Sequence, residues 1–119
     1  MKKDVRKGRR LIHGLYAGLI LAVSSVPGSD LPEATGLVPD KAVHFAEYCL
    51  LGLLGGWAYP TDKRKLWLLL LFGLGFAGLD EIWQSYVPQR KSEWLDFLAD
   101  VAGHLVGVLT ALFLLRRPG

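Results

Sequence analysis

The chain of 119 residues is 51% hydrophobic and 21% charged, with 14 Lys+Arg against 11 Asp+Glu for a net charge of +3, and it holds one cysteine, Cys49. A single cysteine excludes an internal disulfide scaffold, and basic residues clustered at the ends of apolar blocks instead of along one face argue against nucleic acid as a partner. The averages are those of a soluble domain, but the apolar residues fall into four blocks that so short a chain could not cover with water-facing polar surface.

Residues 1–10 form a basic segment (Lys2, Lys3, Arg6, Lys7, Arg9, Arg10) ahead of the first block, 11–26. The later blocks run 42–59, 66–86 and 97–115, and 116–119 form a short tail. At about 1.5 Å per residue each block reaches roughly 24 to 32 Å, close to the ~30 Å hydrocarbon core of a bilayer. The chain therefore reads as all-α: one membrane-embedded four-helix bundle over 11–115, with membrane lipids as its surroundings. The first block has a second reading, because a basic start, an apolar run and the small Ser24 and Ser25 also describe a cleavable signal peptide. Cleavage would leave three spans and move the C-terminus to the side opposite the one its charges indicate.

The first connection, with Pro27, Pro32 and Pro39, reads as irregular backbone. Its lysine Lys41 contrasts with Lys63, Arg64 and Lys65 in the second connection; Arg90 and Lys91 follow in the third, and Arg116 and Arg117 at the end. The excess of positive charge on the N-terminal segment, second connection and tail predicts both termini in the cytoplasm. Trp57, Tyr59 and Trp67 then flank the inner loop, and Trp83, Tyr86 and Trp94 the second outer one. Gly14/Gly18, Gly52/Gly56 and Gly103/Gly107 place small residues at i and i+4, which lets membrane helices approach closely. Gly73, Gly75 and Gly78 spell G-x-G-x-x-G, but no βαβ unit surrounds them, so no dinucleotide or other cofactor is expected.

The ionisable residues of the last three blocks gather at one depth. His44 and Glu47 enter with the second, Asp80, Glu81 and Gln84 close the third, and Asp100 and His104 enter with the fourth. All lie roughly 5–12 Å below the outer ends of their helices, and the inner half is expected to hold none. Each set keeps to one helix face: Asp40, Lys41, His44, Glu47 and Tyr48 within about 120°, and Asp96, Asp100, Gly103, His104 and Gly107 within about 100°. A charged side chain at the bilayer centre costs on the order of 2.5–3.5 kcal/mol, so the three faces are expected to meet in a polar pocket open to the outer surface.

A purely structural reading makes Asp40 and Asp96 helix N-caps and leaves His13 interfacial or packed. It accounts poorly for so many carboxylates facing so few cations. Carboxylates clustered with histidines can do general acid/base work. The spacings H-x-x-E at His44 and D-x-x-x-H at Asp100 do not match H-E-x-x-H, so no metal is expected, and no G-x-S-x-G elbow supports a serine nucleophile. Arg90, preceded by Pro88, suits bidentate grip of a phosphate or carboxylate.

Three motifs in order, Asp40-Lys41-x-x-His44-Phe45-x-x-Tyr48, Asp80-Glu81-x-x-Gln84 continuing to Val87-Pro88-x-Arg90, and Asp96 followed by Asp100, Gly103 and Gly107, resemble the VanZ-like family of bacterial membrane proteins. The resemblance spans residues 40 to 107 and departs from the family at Gln89, usually Gly, and Asp100, usually Asn. It implies a small integral protein of the bacterial plasma membrane, in a family whose namesake is associated with low-level teicoplanin resistance. The expected ligand is an envelope lipid, a phosphate-bearing headgroup or a lipophilic glycopeptide. Asp40, Lys41, Tyr48, Arg90, Asp100 and His104 would bind it, with Lys41 and Arg90 holding the anion. Asp80, Glu81, Gln84, Asp96 and His44 would orient it or, in a membrane-embedded hydrolase or phosphatase, act on a lipid-linked substrate.

Overall fold

The computed structural model describes residues 2–26, 40–59, 62–89 and 93–115. It contains four helices, α1 (Lys2–Ser24), α2 (Asp40–Ala58), α3 (Lys63–Ser85) and α4 (Trp94–Leu114), and no strand among the described residues. Each expected block becomes a helix. α1 also runs back through the basic segment, since Lys and Arg are good helix formers and the first proline is Pro27. α3 starts behind Asp62, whose carboxylate accepts the Lys65 backbone N–H at 2.9 Å. Asp96 is not the cap of α4: Glu93 holds that position without a side-chain cap bond, and Asp96 sits in the first turn.

Two helices, α3 and α4, are long and apolar enough to cross a membrane. The basic turns of α1 and the polar entry of α2, with Lys41, His44 and Glu47, dilute the other two.

The most extensive pairing joins α2 to α4, and glycine makes it possible. A Cβ added at Gly107 would run into the Cys49 carbonyl oxygen and stand 2.9 Å from the Leu53 nitrogen. At Gly103 it would strike the Phe45 carbonyl, and at Gly52 the His104 carbonyl. The small-residue expectation therefore holds for α2 and α4. It fails for α1, where a Cβ at Gly14 or Gly18 would meet nothing within 4 Å. α1 leans on α2, α3 packs on α4, and α3 touches α1 and α2 only sparsely. Ala17, Ile20, Tyr48, Leu51 and Ala77 form the buried core where the four helices meet, flanked by Phe76, Phe97 and Val101.

Candidate functional site

Lys41, His44 and Tyr48 follow one another at three- and four-residue steps and so share a face of α2. That face looks toward Asp96 and Asp100 of α4 and Asp80 of α3. The Tyr48 hydroxyl, fully buried, donates to Asp80 Oδ2 at 2.8 Å. His44 Nδ1 lies 2.8 Å from Asp100 Oδ1, and His44 Nε2 lies 4.0 Å from Asp96 Oδ2. Nearer the helix ends, Lys41 Nζ stands 3.0 Å from Glu93 and 3.5 Å from Asp96 Oδ1. The hydrogen bond that it donates to Glu93, with the nearby charge of Asp96, holds the exposed Lys41 ammonium above the usual lysine range.

Four carboxylates are thereby taken out of water: Asp100 is 0% exposed, Asp80 1%, Asp96 2% and Glu81 8%. Asp80 Oδ1 and Asp100 Oδ2 accept no hydrogen bond from any described residue. Leaving a buried acceptor unmade costs on the order of 1–3 kcal/mol, more for a charged group. Such oxygens are satisfied by a proton, a cation or a donor-bearing ligand. His44, Glu81 and Asp100 also offer one ligand atom each, all within 4.8 Å of one another, a carboxylate and imidazole set that a divalent cation could bridge. The three come from three different helices, so no sequence spacing announces them.

The structure gathers Lys41, His44, Tyr48, Asp80, Glu81, Asp96 and Asp100 at one end of the bundle. Gln84 joins them from the side, its amide donating to the buried Ser24 Oγ at 3.1 Å, while Trp83 Nε1 donates to Ser25 Oγ at 2.8 Å. These two serines fasten the end of α1 to α3, a role their smallness alone does not signal. His104 departs from the group: one turn inward of Asp100, its imidazole lies on Gly73 and beside Phe72, with ring centroids 6.4 Å apart. Gly73 therefore serves as a seat for a side chain. Arg90 lies outside the described residues, as do residues 27–39, and the Asp40 side chain is likewise not described.

The half of the bundle expected to lie inward is not free of ionisable groups. His13 of α1 is 5% exposed, with ring centroids 5.4 Å from Tyr59 and 5.5 Å from Phe72. It is accommodated because Gly55, opposite, leaves room for the ring. Tyr16, which the sequence does not single out, donates to the main-chain carbonyl of Glu47 at 2.8 Å.

The VanZ/LLP1 family model matches residues 13–116. The chain belongs to the VanZ/LLP1 family. No curated protein and no solved structure matches it. The matched segment contains every gathered residue of this VanZ-like site, and both departures from the VanZ-like pattern acquire a physical setting. Gln89 adopts φ 61, the left-handed region in which glycine is unstrained. Asp100 places an ionisable carboxyl where Asn would hold a neutral amide, and His44 Nδ1 stands 2.8 Å from it.

Proposed function

We propose that this VanZ-like chain is a multi-pass protein of the bacterial plasma membrane, both termini cytoplasmic, whose acidic end faces the exterior and binds an amphiphilic envelope ligand. Its membrane placement is supported by the two apolar helices and by large side chains left exposed on them, such as Leu71, Leu79, Leu109 and Phe113. The observation that carries the binding reading is the group of buried carboxylates, with Asp80 Oδ1 and Asp100 Oδ2 accepting nothing from the described residues. Such a site favours a ligand that brings donors or positive charge, as the amine and amide groups of a lipophilic glycopeptide do. A phosphate headgroup would be received through Arg90, or through a cation held by His44, Glu81 and Asp100.

The His44–Asp100 pair favours a second reading. A carboxylate against Nδ1 fixes the ring and turns Nε2 toward Asp96 at 4.0 Å, within the acidic group, the arrangement of a positioned general base. On that reading the protein hydrolyses a lipid-linked phosphoester.

Titration of the purified full chain with teicoplanin, and separately with dihexanoyl phosphatidic acid with and without Mn²⁺, tests both. Asp80→Asn and Asp100→Asn should weaken binding of at least one probe by about tenfold or more, the scale of a lost charged hydrogen bond. Equal affinity in wild type and both variants, or no binding of either probe, would refute the binding reading. Phosphate release that disappears in His44→Ala while affinity persists would establish the hydrolase.

A further inference from the structure

At the opposite end of the bundle a cavity of about 560 Å³ lies between α1 and α3, within the span of about 300–1,000 Å³ typical of small-molecule sites. On α1 its wall is Arg10, His13, Gly14 and Ala17, one face at helical spacing. On α3 the wall begins at Lys65 and continues inward through Leu69, Phe72 and Phe76. Both walls begin with a cation at the mouth; beyond it α3 presents apolar side chains and α1 presents His13 and then small residues.

We propose that this cavity holds one anionic glycerophospholipid of the inner leaflet, its phosphate between Arg10 and Lys65 and an acyl chain along Leu69, Phe72 and Phe76. Three observations beyond the cations favour this occupant. His13, one turn inside Arg10 and so roughly 4.5 Å deeper, is almost fully buried, yet its Nε2 has no hydrogen-bond partner among the described residues. In the neutral tautomer with its hydrogen on Nε2, a small turn of the ring from Gly55 toward the cavity lets it donate to a carbonyl at the depth of the glycerol esters. Gly14 borders the cavity, and a Cβ on it would meet nothing within 4 Å, so the α1 glycine that is not used for helix contact leaves room here instead. Leu68, 59% exposed, forms part of the lining, so the cavity opens sideways to hydrocarbon and admits a chain laterally. The guanidinium of Arg10 stands 5.1 Å over the Tyr59 ring, a stacking that leaves its in-plane N–H groups for phosphate. Basic pockets between membrane helices on the cytoplasmic side are suited to such headgroups.

The proposal rests on the membrane topology proposed above and is independent of the ligand of the acidic end. The full chain would be reconstituted in vesicles of equal phosphatidylglycerol and phosphatidylcholine, checked by flotation, extracted in mild detergent and examined by native mass spectrometry. Wild type should retain one phosphatidylglycerol in preference to phosphatidylcholine. In Arg10→Gln/Lys65→Gln the preference should fall by about tenfold or more. Gly14→Leu, which fills open space, should lose the bound lipid altogether. Gly75→Leu, equally unobstructed but outside the cavity, should keep it. Retention without headgroup preference in wild type, or unchanged by both the charge and the Gly14 variants, overturns the lipid site. A chain that fails to float with the vesicles overturns the membrane topology instead.

Discussion

Gly14 and Gly107 belong to the same kind of i, i+4 glycine pair, and replacing each by alanine should move stability in opposite directions. At Gly107 the new methyl would be driven into the Cys49 carbonyl and within 2.9 Å of the Leu53 nitrogen. Both are backbone atoms in the middle of α2 and cannot rotate aside, so α4 must lift away from α2. Overpacking of this kind typically costs about 1–3 kcal/mol, and rigid neighbours place it toward the upper end. Alanine returns about 0.5–1 kcal/mol through its better helix propensity. The net loss for Gly107→Ala is therefore about 2 kcal/mol, a factor of about 30 in the folded-to-unfolded ratio. At Gly14 the steric term is absent, and Gly14→Ala should be stabilised by up to about 1 kcal/mol. Unfolding of the two purified variants by SDS in mixed micelles, followed by far-UV circular dichroism, reads both effects on one scale. If both variants shift in the same direction, the glycines of α2 and α4 are not in backbone contact and the packing described here is wrong.

Gln89→Gly should raise stability by about 1 kcal/mol, because the left-handed backbone at φ 61 penalises an L side chain; thermal unfolding that shows no gain would remove strain from that turn. Tyr48→Phe deletes the buried donor to Asp80 and should cost about 1–3 kcal/mol in the same assay, whereas a variant indistinguishable from wild type would mean that the Tyr48–Asp80 bond does not link α2 to α3.

The four helices are legible in the sequence because long apolar runs leave the backbone no other way to satisfy its hydrogen bonds in so short a chain. The polar faces are legible too, since helical spacing alone puts His44 beside Tyr48 and Asp96 beside Asp100. What periodicity lacks is the identity of the partner. Gly14/Gly18 and Gly103/Gly107 have the same spacing, yet only the second pair meets another helix, because small residues permit close approach without selecting what approaches. His104 lies on the face of Asp100, but the absence of a side chain at Gly73 draws its ring inward. Ser24 and His13 become informative only through Gln84 and Phe72, residues far away in sequence. The grouping of His44, Glu81 and Asp100 is invisible for the same reason, one residue coming from each of three helices.

The pairing of α2 with α4 also imposes an order on biogenesis. Cys49 meets Gly107 only after the whole of α3 has been made, and at about 5–20 residues per second that is a wait of roughly 3 to 12 s. For that interval the helix carrying Lys41, His44 and Glu47 must leave the ribosome without the surface built to receive it. Until then α2 has chiefly α1 beside it, and the face that carries His44 and Tyr48 is closed by the last helix to be made.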